Sequence, residues 1–378
     1  MNEEVLNLRK IPPSERRRPF KIKEKINPFK YFILKLKNDS QFLRQVVQFL
    51  FLALIFWIGV EFHLFVKWGL SNEKSIFVER PPGVESFLPI SALISLKYWI
   101  ETGIVNTIHP SGLFIFIAIA LIGIFTKKSF CSWLCPVGTI SESLWKFGKK
   151  IFKKNLTVSV WLDLPLRSIK YLLLLFFVWA IATMSVESLN LFIYSPYNKV
   201  ADIKMYLFFA EISSFSVIVI LILILFSIVI KNFWCRYLCP YGAFLGFLSF
   251  LSPIKISRNK TSCIDCELCT KICPANVKVH KVNQVWSDEC TACLSCVEVC
   301  PVKNTLDLRT QTKSKSLSNF NFGLIVVGIF FVVTSFAVIS GNWKNSISKE
   351  EYLKRFENLD SPLYQHAQGK VPNYSPKD

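Results

Sequence analysis

Cysteine is the residue type whose spacing in this sequence points most directly to a chemistry. Eight of the twelve cysteines fall in two quartets that both follow C-x2-C-x2-C-x3-C-P. The quartets are Cys263, Cys266, Cys269 and Cys273, followed by Pro274, and Cys290, Cys293, Cys296 and Cys300, followed by Pro301. In two-cluster ferredoxins the first three cysteines of such a run bind one cube and the fourth binds the other. The spacing therefore predicts two [4Fe-4S] clusters, one held by Cys263, Cys266, Cys269 and Cys300, the other by Cys290, Cys293, Cys296 and Cys273.

Zinc is the competing metal for closely spaced cysteines. Structural zinc sites use four ligands, and they rarely need a third evenly spaced cysteine and a terminal Cys-Pro, repeated twice. Iron–sulfur clusters are therefore favoured. A c-type haem is excluded because no C-x-x-C here is followed by His. No cysteine lies outside a closely spaced group, which indicates metal ligands in a reducing compartment and not a disulfide framework.

The remaining four cysteines form a second repeated pattern. The motif C-x3-C-P-x-G contains Cys131 and Cys135 in its first copy and Cys235 and Cys239 in its second, each soon after an apolar run. Helix positions i and i+4 share a face, so each pair is expected to present two sulfurs together, with Pro ending the turn and Gly allowing a sharp exit. Two interpretations stay open. The four thiolates form a further metal or redox centre, or the motifs serve packing or disulfide formation.

The elements that must position these cysteines are membrane helices. The chain of 378 residues is 52% hydrophobic and 19% charged, with a mean hydropathy of +0.38, whereas soluble proteins are about 25% charged. A spanning helix needs about 20 mostly apolar residues. Five runs are predicted as spans: 46–66, 112–125, 171–186, 213–230 and 320–339.

The distribution of charge orients these spans. Three segments would share one side: 1–44, 127–170 and 231–319. They hold 33 of the 45 basic residues against 13 acidic ones, while the segments on the opposite side hold 12 of each. The positive-inside rule then predicts a multi-pass protein of the bacterial inner membrane, with a cytoplasmic N-terminus, cytoplasmic cysteines and an external tail. The basic surplus attracts anionic membrane lipid, and no module typical of nucleic-acid binding accompanies it.

These features predict a mainly α-helical polytopic membrane bundle of about five spans with an inserted cytoplasmic two-cluster ferredoxin-like α+β module. The predicted domains are a basic segment (1–44), a membrane domain with both C-x3-C-P repeats (45–260), the ferredoxin-like domain (261–310), a last transmembrane helix (320–340) and an external tail (341–378).

Ionisable residues near the membrane surface are further candidates. Glu61 and His63 lie near the outer end of the first span, and His109 at the outer start of the second. A carboxylate or imidazole there could accept a quinol proton, or both side chains could simply reach outer-leaflet water, which we favour. A haem held by His63 and His109 is another alternative. Residues 80–85, with the sequence RPPGVE, are predicted as a stiff external turn.

In the order of its two cysteine patterns the chain resembles the membrane ferredoxin-like family that includes NapH and the C-terminal half of NosR. The likeness covers roughly residues 45–310. It implies an electron-transfer subunit, such as a quinol dehydrogenase component, that passes electrons between the quinol pool and another redox protein such as a reductase. The alternative that it leaves open is an assembly or sensing factor whose clusters serve the maturation of another metalloprotein.

Overall fold

The computed structural model describes residues 12, 16–17, 27–310, 316–365 and 374, and this part of the chain is mainly helical. The chain divides into two compact units, and each is described by itself. The cysteine unit comprises Met1–Phe51, Ala120–Tyr171 and Leu223–Ile329. The second unit comprises Leu52–Ile119, Leu172–Ile222 and Phe330–Asp378.

Long apolar helices alternate with shorter connecting ones. The α-helices in the described residues are α1 (Pro28–Asn38), α2 (Ser40–Leu70), α3 (Pro89–Thr102), α4 (Pro110–Thr126), α5 (Phe130–Trp133), α6 (Pro136–Phe152), α7 (Val160–Ala182), α8 (Val186–Ile193), α9 (Pro196–Lys199), α10 (Ala201–Ala210), α11 (Ser214–Val229), α12 (Pro240–Leu248), α13 (Leu268–Ile272), α14 (Ser295–Val299), α15 (Asn319–Ile339) and α16 (Lys349–Glu357). Short 3-10 turns cover Pro82–Phe87, Lys127–Ser129, Val279–Lys281 and Pro362–Tyr364, and Trp234–Leu238 is a π-helical turn.

Four segments among the described helices are long and apolar enough to cross a membrane. They are Ser40–Leu70, Pro110–Trp133, Trp161–Ala182 and Asn319–Ile339. Helices α10 and α11 pass the same test only as a pair, and they meet at a bend of 84°. The pair is therefore either a fifth, broken span or a re-entrant loop. Four to five candidate spans confirm the predicted helical bundle.

Helix α7 begins well before the predicted span 171–186. Its first half carries Asp163, Arg167 and Lys170. These charged residues interrupt the apolar run, so composition alone does not predict that the helix begins there. These positions are four and three residues apart, so they share one helix face. That face carries ion pairs: Arg236 Nη2 lies 2.8 Å from Asp163 Oδ2, and Lys170 pairs with Glu289.

The ferredoxin module is built on a small antiparallel sheet. Strand β1 (Ile254–Arg258) pairs with β2 (Leu306–Thr310), with Ile254 opposite Thr310 and Arg258 opposite Leu306. In β2, Leu306 and Leu308 are buried in alternation, as the two-residue period of a strand predicts, whereas in β1 Lys255 is buried together with Ile254 and Ile256. Both cysteine quartets lie in the chain between the strands, where α13 and α14 pack against each other. The predicted α+β character is confirmed.

The second unit has an aromatic core to which residues 352–364 contribute. Phe65 of α2 packs edge-on against Tyr352 and Phe356 of α16, with ring centroids 5.1 and 5.7 Å apart. Gly69 makes this approach possible, because a Cβ there would lie 2.2 Å from the Phe356 ring. Leu359 and Tyr364 are also buried. The described residues of the predicted tail are thus an integral part of this core.

A charged cluster lies buried in the same unit. Arg80 Nε donates to Asp202 Oδ2 at 2.5 Å, and Arg80 Nη1 donates to Glu85 Oε1 at 2.9 Å. His109 Nδ1 lies 3.4 Å from the same Glu85 oxygen. Each of these four side chains is at most 4% exposed. The predicted stiff turn at residues 80–85 therefore directs both of its charged side chains into the protein interior.

Candidate redox centres

Two small cavities inside the ferredoxin module are each lined by four cysteines. The first is lined by Cys263, Cys266, Cys269 and Cys300. The second is lined by Cys273, Cys290, Cys293 and Cys296. Each quartet contributes three cysteines to one cavity and its last cysteine to the other. This is the same division that the spacing predicts for cluster ligands.

The chain approaches both cavities by the same local path. Helices α13 and α14 each follow a residue with left-handed backbone, Glu267 (φ 59°) and Leu294 (φ 62°). Such a conformation costs roughly 1–2 kcal/mol for a non-glycine residue, so the surrounding fold must impose it. Both helices end at the fourth cysteine, Cys273 or Cys300, whose backbone is extended. The proline that follows disfavours helical geometry at the residue before it.

The donors in both cavities suit a soft metal. Thiolate sulfur selects iron–sulfur clusters or zinc, and apolar side chains such as Val279 and Leu306 complete the two linings. Burial raises the pKa of the Cys273 thiol to about 12, so a metal bound there must displace the proton. Among the described residues, no three Cys, His, Asp or Glu side chains converge on a point suited to a single ion. The cysteines surround the cavities instead.

The four cysteines of the C-x3-C-P motifs also lie close together. Burial raises the pKa of the Cys235 thiol well above its usual value, and the neighbouring Cys135, Cys239 and Cys131 raise it further. Burial likewise raises the pKa of the Cys135 thiol to about 11. Cys131 and Cys235 also line one cavity, and the second cysteine of each motif follows four residues later, so the four thiols are neighbours.

The i, i+4 spacing suggests that both cysteines of each motif lie on one helix. The structure differs, because in each motif the chain leaves the helix before the second cysteine. Helix α5 ends at Trp133, and Cys135 has extended backbone (ψ 122°) and caps α6. In the second copy, Cys239 (ψ 108°) caps α12, and its sulfur accepts a hydrogen bond from Gly242 N at 3.3 Å. Each proline is therefore the first residue of the following helix, where its missing N–H costs nothing.

The glycine of the first motif has a different role from the predicted sharp exit. Gly138 lies inside α6, and a Cβ there would be 2.0 Å from the carbonyl oxygen of Cys131. At Gly242 the same Cβ would be 3.2 Å from the Cys235 carbonyl oxygen. Gly138 is needed because the helix backbone passes directly beside the first cysteine of its own motif, and the approach at Gly242 is similar but less tight.

Buried cations lie beside this site, and the sequence interpretation missed them. Lys128 is 1% exposed, and it lies within electrostatic range of Cys131, Cys235 and Cys239. Its Nζ is 4.0 Å from Glu289 Oε2, and Glu289 also pairs with Lys170. Positive charge here favours the thiolate form of the cysteines. Two features of the sequence could have predicted these cations: Lys128 lies shortly before the first motif, and Lys170 lies within a mainly apolar helix.

The ionisable candidates Glu61 and His63 have ordinary local partners. Glu61 accepts a hydrogen bond from Trp57 Nε1 at 2.9 Å, one helical turn earlier. His63 Nδ1 lies 2.6 Å from the Tyr206 hydroxyl. His109 instead belongs to the buried charged cluster, where its Nε2 lies 2.7 Å from the carbonyl oxygen of Asn198. The two histidines have different neighbours, so the haem alternative gains no support.

Family models match the segments that carry both cysteine patterns. Residues 108–155 and 214–259 match a family model described as a 4Fe-4S binding domain, and residues 255–301 match one described as a 4Fe-4S dicluster domain. YccM of Escherichia coli, named for a proposed role in electron transport, is 41% identical over 314 residues, which are 82% of this chain and 88% of YccM.

More distant relatives carry related names. The ferredoxin-type protein NapH of Escherichia coli is 26% identical over 68% of this chain and 85% of its own length. Protein NirI of Paracoccus denitrificans is 30% identical over 62% of this chain but only 33% of NirI. No solved structure matches the chain.

Proposed function

The chain belongs to the family of ferredoxin-type membrane electron-transport proteins that includes YccM and NapH, and from that premise we propose that it passes electrons between the quinol pool and another redox protein. Iron–sulfur electron transfer in a membrane protein is the part that the family establishes. The quinol, the redox partner, the number of centres and their ligands are the proposal.

The observation that carries the proposal is the pair of four-cysteine cavities. We assign one [4Fe-4S] cluster to Cys263, Cys266, Cys269 and Cys300 and another to Cys273, Cys290, Cys293 and Cys296. These cysteines would hold the clusters, and each cluster would supply one-electron redox chemistry when bound. Oxidation of a quinol releases two electrons and two protons, so two such acceptors match one quinol, and the protons pass to water.

We assign a further metal or redox centre to the site formed by Cys131, Cys135, Cys235 and Cys239. Its support is the cavity that Cys131 and Cys235 line together with Lys128, which is itself buried. The cysteines would supply the ligands, and the lysine would offset their negative charge. This site and the ferredoxin cavities belong to the same compact unit.

The protein purified without oxygen is expected to contain about eight iron atoms per chain from the ferredoxin module, because eight cysteines match two cubes. Duroquinol should bleach its visible absorption and produce a reduced-cluster signal in electron paramagnetic resonance. Dithionite, which needs no quinol site, provides the control. Stoichiometric zinc without a reducible signal would exclude the cluster assignment, and bleaching by dithionite alone would exclude quinol as donor.

We propose that the N-terminus and the cysteines face the cytoplasm and that the chain after α15 is external, on the basis of the uneven distribution of basic residues. Reporter fusions made after Asn304 and after Gly341 are expected to lie on opposite sides of the membrane, because α15 separates the two positions. A phosphatase active only after export, compared with a fluorescent protein active only inside, checks this. If both reporters lie on the same side of the membrane, α15 does not span it.

A further inference from the structure

Two consecutive lysines are buried at the break between α4 and α5. Lys127 and Lys128 are each 1% exposed. Lys127 has left-handed backbone (φ 60°), which is unfavourable for a residue with a Cβ, and its N–H donates to Ser252 Oγ at 3.1 Å. The two side chains reach different sites: Lys128 lies beside the thiols of the C-x3-C-P motifs, whereas Lys127 contacts the ferredoxin module.

The ammonium group of Lys127 lies against the loop that supplies Cys290. Its Nζ donates to the carbonyl oxygen of Val285 at 2.7 Å and to that of Ser287 at 3.2 Å. The Ser287 oxygen also accepts a hydrogen bond from Cys290 N at 3.2 Å. Val285 and Cys290 both line the second four-cysteine cavity. One shared carbonyl group therefore joins Lys127 to a cysteine that is assigned to the second cluster.

The charge of Lys127 also acts on the sulfur of Cys290. Burial raises the pKa of the Cys290 thiol, and attraction from Lys127 opposes this rise more strongly than attraction from Lys128 does. A nearby positive charge favours the thiolate, which is the form that binds metal. Lys127 therefore favours the ligand form of Cys290.

The positive charge of Lys127 is not neutralised by a carboxylate of its own. Among the described residues Lys127 forms no ion pair, although its side chain is buried. Asp288 lies within electrostatic range, but its carboxylate already accepts a hydrogen bond from the Tyr171 hydroxyl and lies 3.6 Å from Arg167 Nη2. A buried charge is costly unless an opposite charge compensates it. The two carbonyl groups provide only partial charges, so Lys127 suits a further anionic group in the module.

We propose that Lys127 is the counterion of the cluster assigned to the second cavity and that it raises the reduction potential of this cluster. The inference rests on the proposed function and concerns one of the two clusters assigned there. Four thiolate ligands make a bound cluster anionic, and its reduction adds one electron and so one more negative charge, with no bond made or broken. A fixed positive charge favours that reduced form, most strongly where water is excluded. Lys127 is a positioning residue, because it acts through Cys290 and its loop.

The cluster assigned to the first cavity has a different cation. Arg258 Nη1 donates to Cys263 Sγ at 3.3 Å, and both residues line the first cavity. Arg258 also pairs with Asp265 Oδ1 at 3.2 Å, and the Asp265 side chain is 73% exposed. Because each cavity has its own neighbouring cation, removal of Lys127 and removal of Arg258 should lower the potentials of different clusters.

The test is a redox titration of the complete, cluster-containing protein, followed by electron paramagnetic resonance. Lys127→Gln removes the charge but keeps a hydrogen-bond donor for the loop. One reduction step should move to lower potential, so that at its original midpoint the ratio of reduced to oxidised cluster falls about tenfold. Arg258→Met should lower a different step. Lys281→Met is the matched control and should move neither, because Lys281 is an exposed residue of the same module and water screens its charge.

Lys127→Arg restores the charge, and its step should return close to the original potential. The inference is overturned if no step moves in Lys127→Gln, if Lys127→Gln and Lys127→Arg move it equally, or if Arg258→Met moves the same step. If Lys127→Gln loses cluster iron, normal iron in Lys127→Arg supports the counterion, whereas equal loss in both overturns it. The absence of any reducible cluster from the unchanged protein would instead overturn the proposed function.

Discussion

Replacement of Cys135 or Cys239 by Ser is expected to stop the reduction of the ferredoxin clusters by quinol while leaving those clusters bound. Both cysteines belong to the site of four neighbouring thiols, and a serine hydroxyl is a poor ligand for a soft metal. Loss of even an outer-shell partner typically costs a metal site about 10–100-fold. The rate of quinol-dependent bleaching is therefore expected to fall by at least about 100-fold.

Two controls distinguish the loss of electron transfer from the loss of the ferredoxin clusters themselves. Dithionite should still reduce the ferredoxin clusters in Cys135→Ser and Cys239→Ser, because their eight cysteines line other cavities. Cys266→Ser should behave in the opposite way and lower the content of ferredoxin iron. If the clusters of Cys135→Ser and Cys239→Ser are both reduced by quinol at the normal rate, the motifs have only a structural role and the further centre does not exist.

The features that the sequence predicted best are those that depend on local spacing. Whether a run is long and apolar enough to cross a membrane depends on the run alone, and the four to five candidate spans agree with the prediction. The division of cysteines between two cavities follows the division expected from C-x2-C-x2-C-x3-C-P. In both cases the prediction depends on a regular local pattern, either one apolar run or the spacing repeated within each cysteine quartet.

The features that the sequence did not predict depend on partners distant along the chain. Asp163 pairs with Arg236, and Lys170 with Glu289. Without these partners, Asp163 and Lys170 indicate a polar segment that precedes the span. The span is therefore predicted to begin at residue 171, whereas α7 begins at Val160. A charge can lie on a helix within a bundle when a partner neutralises it. The partner becomes known only when the helices are packed.

The turn at residues 80–85 illustrates the same limit in the second unit. Arg80, two prolines and a glycine predict a stiff external turn, but this pattern does not reveal that Arg80 and Glu85 are buried. The reason is Asp202, which lies far away in the sequence and accepts a hydrogen bond from Arg80 Nε. Glu85 further accepts hydrogen bonds from the Ser111 hydroxyl and from Gly112 N. Three separate segments of the chain, around residues 80–85, 109–112 and 202, thus meet at one charged cluster.

Replacement of Arg80 by Met is accordingly expected to destabilise the second unit severely. The methionine fills much of the same volume but leaves the Glu85 and Asp202 carboxylates, both without measurable exposure, in the interior without a cation. Removal of one partner of a buried ion pair costs about 3–5 kcal/mol. At about 2–4 °C per kcal/mol, the midpoint of thermal unfolding in detergent should fall by roughly 10 °C, as measured by scanning fluorimetry.

The matched control is the exposed ion pair between Lys344 and Glu79, whose side chains are 65% and 66% exposed. Lys344→Met should change the midpoint little, because water already solvates both charges and such pairs contribute at most about 1 kcal/mol. Adding Asp202→Asn to Arg80→Met should recover part of the loss, since it removes one of the two unpaired carboxylates, and this non-additivity identifies a direct interaction. If Arg80→Met is no less stable than Lys344→Met, or if Asp202→Asn only adds to the damage, the burial of charge at this turn does not hold the second unit together.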